Sequence, residues 1–275
     1  MNCLLCSSTN IKFKFVFSGD DIYLKKLNVK DFDLKWYSCK DCGVYFSEQY
    51  EKIEDVYQDE NLYDASFDKD LIKIRFDKIM NLEKRNSDNV KRVLRCKEYH
   101  KNYVNTFDIK KEEYNILDIG AGLGVFLANF LDANYIGHAL ELNKIASNHI
   151  LKVLPSVTVY QDFMQNLQIK NKFDLITLNR VLEHISSPIA VMTEVVNALL
   201  DNGLVYVELP DSLSYELNGE SNEAFSSGHY MVYNSKSLNY IFTEVGLELM
   251  KLERLQEPSG KYTVYAIARK KNEIL

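Results

Sequence analysis

The spacing of apolar and polar positions divides the chain into three stretches. From about residue 113 onward, short apolar runs rich in β-branched residues alternate with segments whose apolar positions recur every three or four residues. The first kind reads as buried strands and the second as amphipathic helices, and their alternation is the pattern of a parallel α/β sheet. Strands are expected at 115–119, 135–141, 157–160, 173–178, 204–209, 247–254 and 262–269, with helices at 125–131, 144–152, 188–200 and 235–245. Gly246 stands where a left-handed C-terminal helix cap belongs. Gln256-Glu-Pro-Ser-Gly260 is short enough for a hairpin, so at least one of the last two strands runs antiparallel. Residues 49–112 lack Gly and Pro and carry two helical stripes: Leu71, Ile72, Ile74, Phe76, Ile79 and Leu82, then Val90, Val93, Leu94 and the aliphatic stem of Lys97. Asn86-Ser87-Asp88 between them reads as a break with a fresh N-cap, so two or three connecting helices are expected. Residues 1–48 lean towards short strands, at Phe13–Phe17 and Lys35–Tyr37.

Composition narrows the class. A chain of 275 residues is long enough for one large domain with a small appendage, expected here as 1–48, a helical connector or lid at 49–112, and an α/β domain at 113–275. The net charge is −6, from 33 basic and 39 acidic side chains, and the cations are scattered, which argues against a surface that tracks nucleic-acid phosphates. No apolar run is long enough to cross a bilayer. The N-terminus has no basic region followed by an apolar stretch, so a cytoplasmic protein with reduced thiols is expected.

Four of the five cysteines form two knuckles, Cys3-x-x-Cys6 and Cys39-x-x-Cys42. Four thiolates at these intervals can close a tetrahedral Zn²⁺ site and fold a small ribbon that lacks a core of its own. Such a site has no open position, so the metal would be structural; two disulfides or free buried thiols are the plain alternatives. Gly43 suits the tight turn after the second knuckle. Trp36, Tyr37, Tyr45 and Phe46 are expected to dock the ribbon onto the helices or to form a recognition surface. Cys96 stands alone and reads as a small core residue.

The chemistry concentrates at the expected strand ends. Asn115-Ile-Leu-Asp-Ile-Gly-Ala-Gly-Leu-Gly-Val125 is a buried strand ending in Asp118 and a turn in which Gly120, Gly122 and Gly124 let a ligand approach the backbone before a helix opens. The turn lacks the Lys-Ser/Thr that would cradle a triphosphate. Its Gly-x-Gly-x-Gly spacing also departs from that of nicotinamide dinucleotide enzymes, whose third glycine would fall at Val125. Glu141, at the end of the second strand, can accept both hydroxyls of a ribose, with Leu142 beside it. After the third strand, Asp162 and Phe163 offer an acceptor next to an aromatic face. The fourth strand ends at Asn179, which opens Asn-Arg-Val-Leu-Glu-His184.

Taken together, Leu-Asp-Ile-Gly-Ala-Gly-Leu-Gly124, Leu-Glu-Leu142, Gln-Asp-Phe163, Phe-Asp-Leu-Ile-Thr-Leu-Asn179 and Val-Leu-Glu-His184 resemble the class I S-adenosylmethionine-dependent methyltransferases over about residues 113 to 270. The resemblance implies a doubly wound, Rossmann-like, seven-stranded sheet. It implies that Asp118 and the glycine turn hold the methionine part of the donor, Glu141 the ribose, and Asp162 with Phe163 the adenine. Asp211 follows the fifth strand as similar chains would have it. The cysteine ribbon, followed by Tyr57-x-x-x-x-x-Tyr63 and this domain, resembles bacterial zinc-ribbon methyltransferases that modify sugars and surface glycans. The chain as read ends at Leu275, just after the sheet. The extra C-terminal domain of the relatives that C-methylate nucleotide-linked deoxysugars is therefore not expected, which points to O-methylation of a hydroxyl.

Removing a hydroxyl proton calls for a base, and histidine is suited to that at neutral pH. His229, in the long polar loop 211–233, and His184 are the candidates; Glu223 is a weaker one on the same loop. Similar chains carry a His at both places, the later one near the acceptor. For His184 the plain alternative is a hydrogen bond within its loop. Tyr215, Phe225, Tyr230 and Tyr233 would suit a sugar ring, or simply pack the loop. The acceptor is expected to be a small molecule, a sugar or glycan precursor, with nucleic acid less expected. The competing functions are an RNA methyltransferase with a zinc docking module and a non-catalytic methyl-donor-binding scaffold.

Overall fold

The computed structural model describes residues 1–21, 24–25, 28–29, 32–49, 71–167, 169–170 and 172–271. The expected Tyr57–Tyr63 motif lies outside these residues. Strands β1 (Ile11–Val16), β2 (Lys35–Cys39) and β3 (Tyr45–Ser47) form an antiparallel meander at the N-terminus. Helices α1 (Ile72–Met80) and α2 (Asp88–Thr106) follow, divided as expected at Ser87, whose hydroxyl caps α2 by accepting from the Val90 amide.

The remainder alternates in the anticipated way: β4 (Tyr114–Ile119), α3 (Val125–Phe130), β5 (Tyr135–Leu140), α4 (Lys144–Val153), β6 (Thr158–Tyr160), β7 (Phe173–Asn179), α5 (Pro188–Ala198), β8 (Leu199–Pro210), α6 (Leu213–Asn218), β9 (Met231–Val232), α7 (Ser235–Glu244), β10 (Leu247–Gln256) and β11 (Tyr262–Lys270). Seven strands make one sheet in the order β10-β11-β8-β7-β4-β5-β6. Strands β4 to β8 pair in parallel, and β11 runs antiparallel to both of its neighbours. The chain winds outward from β4 through β5 to β6, then crosses back to β7, so the order reverses between β4 and β7. Beyond the carboxyl ends of those two strands a doubly wound sheet leaves a crevice.

Each central strand is apolar on both faces because helices cover both. In β4, Ile116 packs with the α2 and α3 layer, whereas Leu117 and Ile119 face the α5 and α7 layer. Full burial of one such aliphatic side chain is worth about 1.5–3 kcal/mol.

Two expectations are corrected. Leu94, and Leu71, Ile74 and Leu82 of the earlier stripe, stand at helical spacing but are exposed. The buried stripe of α2 runs through Asn89, Val93, Cys96, His100 and Tyr103, and includes polar residues whose partners lie across the interface. Asn89 donates to the Val125 carbonyl, and the His100 ring meets the Tyr135 hydroxyl at 3.0 Å. Counting only apolar residues therefore picks the wrong face. The helix expected at 188–200 ends at Ala198, and Leu199 already pairs with Phe173. A register shift follows it inside β8, between Leu199 and Leu204, and a Cβ at Gly203 would fall 2.8 Å from the Leu199 side chain.

Candidate active site

The donor side is assembled around the reversal point. Glycines 120, 122 and 124 all have positive φ, and Gly120 leaves no room for a side chain: its Cβ would lie 2.7 Å from Val181 Cγ2. Gly122 differs, because a Cβ there would meet only the Gly120 carbonyl, at 4.0 Å, so the space above the turn is open. Glu141 is buried and locks this turn: Oε2 accepts from the Gly122 amide at 2.7 Å and Oε1 from the Asn143 amide at 2.8 Å. Burial pushes its carboxyl above the ordinary value.

Asp118 and two residues of β7 meet across the strands. Thr177 and Asn179 are two apart and so share a face of the sheet. Their side chains donate to Asp118 Oδ1 at 2.7 and 3.0 Å. Desolvation outweighs these bonds and pushes the Asp118 carboxyl up to about 7. Asn179 Oδ1 is buried and finds no donor among the described residues, so the strand tip carries an unmet acceptor. Asp162 accepts from the Phe163 amide and from Asn166, while Phe163 and Leu142 expose their apolar side chains. A cationic ligand with a nucleoside fits this set: open space at Gly122, two buried carboxyl groups, an unsatisfied amide oxygen and two exposed apolar faces.

A cleft of about 910 Å³ leads from Val125 and Arg92 to Glu183, His184 and His229. The His184 and His229 rings lie edge to face, with centroids 4.6 Å apart. Each Nδ1 faces a main-chain carbonyl: His184 that of Gly228 at 2.9 Å, His229 that of Ala224 at 2.8 Å. A carbonyl only accepts, so each Nδ1 carries the hydrogen. Desolvation pushes the His229 imidazole down to about 3, which keeps it neutral at pH 7. Glu223 is not joined to this group; its carboxylate is exposed and paired with Lys261 at 2.5 Å.

The loop that carries His229 is held by distant parts of the chain. Asp211 fixes its start through two 2.6 Å bonds from Arg254. Strand β9 adds a fourth strand to the N-terminal meander by pairing with β3. Trp36 is fully buried and donates to the Phe225 carbonyl at 2.8 Å, Asp21 accepts from Ser227, and Ser47 donates to the His229 carbonyl at 3.0 Å. Trp36 and Tyr45 thus dock onto this loop, whereas Phe46, with Tyr37 stacked on it, joins the core cluster that includes Leu238 and Ile241 of α7. Phe225, Tyr230 and Tyr233 are buried and Tyr215 stacks on Phe15 at 4.4 Å, so these rings pack the loop instead of facing the cleft.

The four knuckle sulfurs converge. Cys3 and Cys42 Sγ lie 3.6 Å apart, Cys6 and Cys39 3.5 Å, and all four fall within 4.8 Å of one another. Disulfide sulfurs would be about 2.05 Å apart. Ligands on a tetrahedral metal at about 2.3 Å stand about 3.8 Å apart, close to what is found. Gly43, at the knuckle, accepts from Asn234, the residue that also caps α7.

Sequence reasoning gave Glu183 no role, although it sits between a buried strand and His184, where a charged residue in an apolar run is a signal. Arg180 was also missed. It holds a left-handed backbone, φ 60°, at the rim of the cleft, and nothing in its neighbours announces that.

The reversed strand order, the glycine turn and the strand-end carboxyl groups define a class I S-adenosylmethionine-dependent methyltransferase. Residues 81–252, more than half of the chain, match the family model described as a methyltransferase domain, and the chain belongs to that family. No match is found among curated proteins. The 1,6-didemethyltoxoflavin-N1-methyltransferase of Burkholderia thailandensis, solved with 1,6-didemethyltoxoflavin and S-adenosylhomocysteine, is similar in fold. It is 13% identical, covering 85% of this chain and 98% of that one, with a TM-score of 0.53. An S-adenosylmethionine-dependent methyltransferase from Methanosarcina mazei is 16% identical, covering 62% of this chain and 98% of that one, with a TM-score of 0.49.

Proposed function

We propose that the enzyme O-methylates a hydroxyl of a sugar, in a nucleotide sugar or a glycan precursor. The observation that carries this reading is the lining of the cleft, where Asn86, Asn89, Asn218, Asn222, Ser214 and Ser226 surround a route that ends at the paired histidines. Short amides and hydroxyls are the groups that recognise a polyol. The bound donor supplies an electrophilic sulfonium methyl group. Asp118, Asn179 and the turn of Gly120, Gly122 and Gly124 hold its charged end, Glu141 its ribose, and Leu142, Asp162 and Phe163 its base. The acceptor hydroxyl meets His229 and His184, which draw off its proton or its developing charge; Glu223 stays at the rim with Lys261.

The organisation proposed is a zinc ribbon at 1–48, with Cys3, Cys6, Cys39 and Cys42 as thiolate ligands of one structural Zn²⁺, then a helical connector at 49–112 and a methyltransferase domain at 113–275. The ribbon's part is to set the position of the His229 loop. A turnover screen of the metal-replete protein against nucleotide sugars and glycan precursors tests the reading. Formation of an O-methyl ether on one of them is the expected result. Methylation of RNA alone, or donor binding without turnover on any acceptor class, overturns it.

A further inference from the structure

Glu183 lines the cleft beside the histidine pair. It belongs to the turn Leu182–His184, which two contacts hold in place. The Tyr230 amide donates to the Glu183 carbonyl at 2.7 Å, and the Tyr233 hydroxyl donates to the Leu182 carbonyl at 3.0 Å. One carboxylate oxygen of Glu183 and one ring nitrogen from each of His184 and His229 lie within 4.8 Å of one another. The Glu183 side chain is 1% exposed, and its buried Oε2 has no hydrogen-bond donor among the described residues. An acidic group is seldom buried so fully without a partner. Its place beside two imidazoles calls for a positive charge that arrives during turnover.

The reaction supplies such a charge. Methyl transfer forms the O–CH₃ bond as the bond from the methyl carbon to sulfur breaks, with its electron pair returning to sulfur. The hydroxyl proton passes to His229, whose Nδ1–H is already bonded to the Ala224 carbonyl, so Nε2 receives it. One unit of positive charge thereby moves from the sulfonium to the imidazole. We infer that Glu183 is the counter-charge of the imidazolium formed at His229, a positioning residue that acts through the histidine pair. This deepens the proposed function and rests on it for the origin of the proton. Burial pushes the Glu183 carboxyl up, opposed by the charges of His184, Arg180 and Arg92. Burial pushes the His229 imidazole down, aided by His184, Arg180 and Lys261. Tyr233 also faces the carboxyl, and Lys261 is already neutralised by Glu223. Opposite shifts are what desolvation imposes on an acid and a base that are each charged alone; as an ion pair, each relieves the other.

The test is a proton NMR titration of the His184 and His229 ring signals, with S-adenosylhomocysteine bound and no acceptor present, in the wild type, Glu183→Gln and Glu183→Asp. In the wild type at least one imidazole of the pair should take up a proton above about pH 4. Glu183→Gln keeps the side chain's shape and removes its charge, so that midpoint should fall by about one pH unit, while Glu183→Asp should stay nearer the wild-type midpoint. With an acceptor that the wild type methylates, Glu183→Gln should lower kcat at least about tenfold and leave both KM values within about twofold. Retained S-adenosylhomocysteine binding by both variants establishes that they are folded. An unchanged midpoint in folded Glu183→Gln overturns the inference, as does a wild-type pair that stays neutral down to about pH 4. Because the titration needs no acceptor, failure of the sugar assignment is read separately. Conversely, methylation of a sugar by Glu183→Gln at the wild-type rate removes the counter-charge and keeps the reaction.

Discussion

The glycine turn after β4 and the histidine pair at the far end of the cleft differ in how much chain separates the parts that hold them. The turn closes over short spans: Gly122 to Glu141 is 19 residues, and Asp118 to Thr177 is 59. His229 is held through Ser47, 182 residues away, and the carbonyl of Phe225 through Trp36, 189 residues away. The donor side is thus a product of consecutive βαβ units. The proposed acceptor side lies where the N-terminal strands meet the loop that follows β8. It follows that the acceptor side can be damaged without touching the donor side.

Trp36→Ala removes a fully buried ring and its bond to Phe225, which costs about 4 kcal/mol of stability where ribbon and loop meet. Methyl transfer should be lost while donor affinity, measured by calorimetry, stays near the wild-type value. A parallel fall in donor affinity would show that the two sides are not independent. Arg92→Ala acts between them. Arg92 and Arg95 clamp the fully buried Glu208, and against desolvation they hold its carboxyl down at about 2. Losing one guanidinium leaves that charge half-compensated, at a cost of about 3 kcal/mol visible as a lower Tm, with both sides weakened.

Gly120→Ala strains the donor side alone. A left-handed alanine and the overlap with Val181 together cost about 2 kcal/mol, or roughly thirtyfold in donor affinity. Adding Val181→Ala should recover part of this, whereas it should recover nothing of the loss in Gly122→Ala, whose Cβ would meet no protein side chain and would stand in the space proposed for the donor. Failure of Val181→Ala to rescue Gly120→Ala would contradict the crowding at Gly120.

The smallest effect expected is a pH dependence. With its carboxyl near 7 rather than 3.8, Asp118 stabilises the fold fully below pH 4, and that contribution fades as pH rises through 7. A cationic sulfonium favours the charged carboxylate, so donor affinity moves the opposite way and should rise about tenfold from pH 6 to pH 8. The uncharged thioether product should show less of this rise. A flat profile for the sulfonium would mean that Asp118 does not sense the donor.

The sheet was legible because its signals are local. The strands from β4 to β7 lie within a residue or two of their expected bounds, since buried period-2 runs bounded by turn residues carry that information without reference to the rest of the chain. The helix start at Ser87 was legible for the same reason. The buried face of α2 was not, because Asn89 and His100 turn inward only when partners on α3 and β5 are present to meet them. Strand β9 was hidden as well: Met231 and Val232 are two residues in a polar loop, and they become a strand by pairing with Tyr45 and Phe46.

By itself the sequence determined the doubly wound sheet, the glycine turn and the pairing of the cysteine knuckles, because alternating burial, positive-φ glycines and knuckle spacing are properties of neighbours in the chain. Tertiary structure alone decided that the ribbon grips the His229 loop, that Glu183 lies buried beside both histidines, and that Glu223 does not join them. Those outcomes depend on loop closure across most of the chain and on which buried polar groups find a partner, and no window of neighbouring residues contains either.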